Sequence, residues 1–167
     1  ATARRIAIKI PQQLLVRALT AWFWKQPFED KPIRWGTRLH DWFLLPYAVE
    51  RDFHRVVENV RRAGYPMEAA WFAPFFEFRF PVFGTVCYEG VEIELRQAIE
   101  PWYVLGEEPG AGGTTRFVDS SVERLQVRVK GLVNERYTIT CNGRRLPLQS
   151  TGTHREFVCG VRYRAWQ

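Results

Sequence analysis

Cysteine, histidine and methionine are all scarce in this chain: three, three and one among 167 residues. The cysteines, Cys87, Cys141 and Cys159, are odd in number, and no cysteine or histidine cluster has zinc-ligand spacing. That excludes a structural zinc site of the usual kind and points to free thiols in a reducing compartment. Long apolar runs are missing too. Arg17 interrupts the longest, well short of the roughly 18–20 residues a membrane span needs. No secretory leader is visible, so the expected compartment is the cytoplasm and no membrane is an expected partner. There is no internal repeat or low-complexity segment. Lysine, the usual surface filler, is absent from Phe76 to Glu108.

What fills that stretch is alternation. FEFRFPVFGTVCYEGVEIELRQAIEPWYVLGEE reads as two strands joined at Glu89-Gly90, with aromatic and aliphatic residues in period two against carboxylates and arginines. A two-residue turn puts Tyr88 opposite Val91, Cys87 opposite Glu92, Thr85 opposite Glu94, Phe83 opposite Arg96 and Arg79 opposite Glu100. One face then gathers Glu77, Arg79, Glu92, Glu94, Arg96 and Glu100. The other gathers Phe76, Phe78, Phe80, Val82, Val86, Val91, Ile93, Leu95 and Ile99. Pro81 and Gly84 are positions where a bulge would shift this register. The ionic face has two readings. It is a wet sheet face laced by cross-strand ion pairs, or a site where arginine forks hold phosphate or carboxylate and acids hold Mg²⁺.

Hydrophobic residues at 46% and aromatics at 15% suffice for a substantial core in one large domain or two small ones. Of the net charge of +6, most lies from Asp119 onward, where nine Arg/Lys stand against four Asp/Glu. That asymmetry suits an acidic partner, though arginines on wet strands give the same count, and nucleic acid is not the expected ligand. The chain begins inside a helix-like pattern and stops at Arg164-Ala-Trp-Gln, so it reads as part of something longer.

In chain order, Pro11–Lys25 carries a helical stripe of Leu14, Leu15, Ala18, Leu19, Trp22 and Phe23. Thr37 is placed to cap a short helix bearing Leu39, Trp42 and Phe43. A longer one follows over Val49–Ala63 on Phe53, Val56, Val57 and Val60, with Gly64 at its C′ position. Met67–Phe72 adds one turn. Gly106–Thr115 reads as a flexible loop or lid, lacking the Gly-Lys-Ser/Thr of a phosphate loop. Strands are expected at Val122–Lys130, Tyr137–Cys141, Leu146–Leu148 and Glu156–Trp166, with a hairpin turn at Asn142-Gly143. The fold class is α+β: N-terminal helices packed on an antiparallel sheet over 1–118, then a small β-rich subdomain over 119–167. Helices are expected on the aromatic face, leaving the charged face open as a cleft. His40, beside Asp41, is a candidate acid/base or a capped surface histidine. Cys87 has no local nucleophile signature and His154 reads as solvated.

RWGTRLHDWFLLP, RRAGYP, WFAPFFEFRFPVFG, ELRQAIEPWYVLGEE, DSSVERLQV, CNGRRLPL and GVRYRAWQ together resemble the bacterial amidoligase module found behind a transglutaminase-like domain in long polypeptides. The resemblance spans nearly the whole chain. It implies a glutamine synthetase-like carboxylate–amine ligase in which ATP phosphorylates a carboxylate and an amine attacks the acyl phosphate. Carried over, it makes Glu77 and Glu94 metal ligands for Mg²⁺. Arg79 and Arg96 become catalytic holders of phosphate or carboxylate, and Glu107 and Glu108 secondary, nucleotide-side candidates. Phe75 and Tyr103 stand where histidine is usual, and two glutamates make a thin metal site, so the stretch alone is not expected to catalyse. The implied partners are a transglutaminase-like domain and a small-molecule or peptide carboxylate. The other class of function is a noncatalytic scaffold whose basic β portion docks a partner domain.

Overall fold

The computed structural model describes residues 2–29, 31, 33–34, 36, 38, 42, 44–110, 112–133 and 137–164. Helix α1 spans Thr2–Lys25, α2 Pro46–Arg62 and α3 Ala73–Arg79, the last preceded by a 3-10 turn at Ala69–Phe72. The short helix expected after Thr37 and the acid/base candidate His40 fall outside the described residues. α2 starts with proline in its first turn, where the missing N–H costs nothing. It ends as its sequence asks. Gly64 at φ +91° donates its N–H to Arg61, and Tyr65 donates to Val60, the paired bonds that satisfy terminal carbonyls. Leu15, Ala18, Leu19 and Trp22 of α1 pack on Val57, Val60, Met67 and Phe72.

The main sheet comprises β1 (Val82–Tyr88), β2 (Val91–Ala98), β5 (Val122–Lys130), β9 (Glu156–Arg164) and β8 (Gln149–Ser150), all antiparallel neighbours in that order. β3 (Val104–Gly110) with β4 (Gly113–Val118), and β6 (Thr140–Cys141) with β7 (Arg144–Arg145), form separate two-stranded ribbons. Glu89-Gly90 makes the expected tight turn, both residues at positive φ, and Asn142-Gly143 does the same. Gly131 is required where the chain crosses this turn: at φ +78°, its Cβ would lie 2.2 Å from the Gly90 carbonyl oxygen. The β2–β5 ladder joins seven residue pairs across Asp119, so one sheet serves both portions of the chain.

The glycine-rich 106–115 segment is not a loop but an exposed β ribbon turning between Gly110 and Gly113. The helices also sit on the opposite sheet face from the one expected. Val91, Val127, Val129 and Cys159 on the apolar face are covered by Leu132 and by Tyr137, Ile139, Leu146 and Leu148 of the segment leading to β8. The start of α2 lies on the charged face, where Leu45 packs with Ala98 and Val158 and the Tyr47 N–H donates to Gln126 Oε1 at 2.9 Å. The expected open cleft on that face is therefore partly roofed. Burying Leu45 and Val158 completely drives this docking more strongly than the ionic residues resist it, because those residues can pair laterally.

Candidate functional site

The charged face of the sheet is built by parity. Glu92, Glu94 and Arg96 on β2 share it with Lys130, Arg128 and Gln126, their direct partners on β5. Cys87 faces Glu92 and Thr85 faces Glu94, as the turn requires. Beyond them the hairpin register slips: Val82, not Phe83, pairs with Arg96, and Phe83 is the extra residue of a bulge.

Glu77 and Arg79 are not on a strand. They lie on α3, so Arg79 does not face Glu100. Helix formation nevertheless brings Glu77 to the hairpin, where its Oε1 accepts from Arg96 Nη2 at 3.3 Å. Arg96 Nε lies 3.5 Å from Glu94 Oε1. One guanidinium thus stands between two carboxylates, with Glu94 and Arg96 largely covered and Glu77 exposed. Arg79, at the other side of α3, makes no ion pair among the described residues. Its side chain instead lines an apolar cavity beside Phe76.

The remaining acids of this face are matched in turn. Lys130 Nζ reaches Glu92 at 2.9 Å. Glu100, almost wholly buried, takes Arg162 Nε at 2.9 Å, and Arg162 also donates to the Tyr103 hydroxyl at 3.4 Å. Glu156, equally buried, accepts Arg128 Nε at 2.7 Å and Thr151 Oγ1 at 2.8 Å. Burial by itself would raise the Glu156 pKa. The hydrogen bonds from Thr151 and Arg128 outweigh that and hold it below the ordinary glutamate value. The buried Cys159 thiol is pushed up to about 11 by desolvation, so it is inert as a nucleophile at neutral pH. Cys87 and Cys141 are exposed and free, and His54 and His154 are exposed.

Glu107 and Glu108 project from the exposed β3–β4 ribbon. Glu107 pairs with Arg116 at 2.7 Å, and Glu108 stands opposite Thr115. Acids on an open ribbon repel nucleotide phosphates rather than cradle them, so these two do not fit ATP as arranged. Nor do Glu77 and Glu94 fit Mg²⁺. The Arg96 guanidinium occupies the position between them that a cation would take. Among the described residues no group of three or more His, Cys, Asp or Glu side chains is placed to share a metal ion.

The Glu156–Arg128–Thr151 and Glu100–Arg162 clusters escape a reading of the sequence alone. Alternation in VERLQVRVK marks Arg128 as opposite in parity to Val127. Nothing local says that Glu156, some thirty residues on, is its partner. No helix among the described residues is long and apolar enough to cross a membrane. No curated protein and no solved structure matches the chain. A family model does, over residues 4–167, and the chain belongs to that family, described as "Putative amidoligase enzyme (DUF2126)".

Proposed function

We propose that the chain is part of an ATP-dependent carboxylate–amine ligase with a glutamine synthetase-like plan, acting with a transglutaminase-like domain on a small-molecule or peptide carboxylate. The observation that carries this is the amidoligase family match across residues 4–167. The arginines of this chain supply what such chemistry asks of a protein: fixed positive charge beside a carboxylate whose charge changes during reaction. Arg79, which makes no ion pair among the described residues, is the group assigned to an external carboxylate on this reading. Arg96 is held by Glu77 and Glu94 and acts as a positioning group for that part of the sheet. ATP and Mg²⁺, which the reaction class uses, would be held by groups outside the described residues. The test is carboxylate- and amine-dependent ADP release by the complete polypeptide. Arg79→Ala is expected to lower it at least about tenfold while the fold persists. Unchanged release in that variant would remove Arg79 from the machinery, and no release with any carboxylate would end the ligase reading.

A second reading, a noncatalytic module that docks a partner domain, is favoured by one specific observation. Glu77, Glu92, Glu94, Glu100 and Glu156 are each engaged by an arginine or lysine of the same chain, as in a structural lattice. Salt-sensitive association with the transglutaminase-like domain supports it, and absence of association at low ionic strength removes it.

A further inference from the structure

Of the two edge strands of the main sheet, one is long enough to take a partner. At one end β8 has two residues, too few to template another strand. At the other, β1 runs for seven, VFGTVCY, with every residue exposed and no charge or proline to guard it. The Glu89-Gly90 turn fixes which of its backbone groups face out. Residues flanking a two-residue turn exchange both hydrogen bonds, and such pairs alternate along the ladder. Tyr88, Val86 and Gly84 therefore bond to Val91, Ile93 and Leu95 on β2, while Thr85 and Cys87 turn their N–H and C=O groups away from it. Among the described residues no backbone bond from elsewhere in the chain reaches those outward groups. Val86 and Tyr88, 59% and 66% exposed, stand on the apolar sheet face beside Leu95.

We propose that β1 pairs antiparallel with β1 of a second copy, joining two sheets into one across a two-fold axis at Val86. Three features select a second copy as the occupant. The strand complements itself in one register. With Val86 on the axis, Thr85 meets Cys87, so the outward backbone groups of each copy bond those of the other. Tyr88 then lies over Gly84, where no atom comes within 4 Å of the place a Cβ would take, and an aromatic ring covers a cross-strand glycine well. This register uses Gly84–Tyr88 and stops short of the bulge at Phe83. Self-pairing also brings no like charges together. Glu92 and Glu94 on the two β2 strands stand three strand spacings apart, roughly 14 Å, beyond the roughly 10 Å over which exposed charges act in 0.1 M salt. Finally, one usable edge per copy closes the assembly at two.

Sedimentation equilibrium of the chain is expected to show a reversible monomer–dimer equilibrium. Val86→Lys sets two lysines face to face on the axis and should weaken it at least about tenfold. Thr85→Pro removes an N–H that β2 does not use, so it should weaken dimerisation as strongly while the chain melts as the parent does. Val86 forms a non-hydrogen-bonded pair with its own copy, with Cα atoms about 4.5 Å apart, within reach of a disulfide. In a Cys87→Ser, Cys141→Ser background, Val86→Cys should therefore link two chains under mild oxidation, and Val82→Cys should not. A chain monomeric at every concentration, a dimer unmoved by either Val86→Lys or Thr85→Pro, growth past the dimer, or linkage through Val82→Cys as fast as through Val86→Cys overturns the proposal. So does a complete polypeptide that is monomeric and shields the thiol introduced by Val86→Cys from a labelling reagent, since its own segments then cover the edge.

Discussion

Glu156 is 5% exposed, yet it is ionised, because Arg128 and Thr151 give it two hydrogen bonds that replace water. Its pKa lies below the ordinary 4.5 in the folded chain. A group with a depressed folded pKa binds protons more readily when unfolded, so its contribution is present above about pH 4.5 and is lost as pH falls through the folded value. Glu156→Gln is therefore expected to be less stable than the parent by about 2 kcal/mol at pH 7. That gap should narrow as denaturant melts are repeated below about pH 4.5. A gap that stays constant down to pH 3 would show that the carboxylate charge is not what matters here. At this scale the sequence identifies which side chains share a face and not which acid meets which arginine. Arg96 is an instance: parity places it with Glu94, but Glu77 reaches it from a helix.

Most elements follow local chemistry, and the exceptions are instructive; the 106–115 ribbon is one, and Leu146–Leu148, expected as a strand, lies between β7 and β8 without being one. FEFRF alternates as a strand would, yet Ala73–Arg79 is helical. The signals for helix were there: proline in the first turn, Phe72, Phe75 and Phe76 at three- and four-residue spacings facing the α1–α2 core, and buried Phe80 stacked on Phe76. A period-two reading and a helical one overlap for so short a run, and packing of the phenylalanines decided it. β1 is the converse case. VFGTVCY carries no charge, lies at the edge of the main sheet and has every residue exposed. Such an edge offers unpaired backbone groups to any extended strand. Val86→Lys should leave stability within about 0.5 kcal/mol and lower concentration-dependent association measured by light scattering. Unchanged association would mean that this edge is not where chains meet.

The whole molecule is held together by the sheet that crosses Asp119. β2 is paired by β5 over seven residues, Val91 is buried against Val127, Val129, Leu132 and Cys159, and Ala98 lies between Leu45 and Val158. A chain cut to residues 1–118 is therefore expected to show no cooperative thermal transition by circular dichroism, whereas the full chain melts as one unit. A cooperative melt in the shorter piece would mean that the first portion folds alone. The α+β class, the turns at Glu89-Gly90 and Asn142-Gly143, the end of α2 at Gly64 and the faces of β2, β5 and β9 were determined by the sequence itself, since each depends on dihedral preference or periodicity within a few residues. Which sheet face the helices cover, how the acids and arginines pair, and the aromatic cavity beside Arg79 were decided only by the tertiary structure. Those features depend on the register between strands some thirty residues apart and on the area buried when helix meets sheet, and no local stretch of chain carries that information.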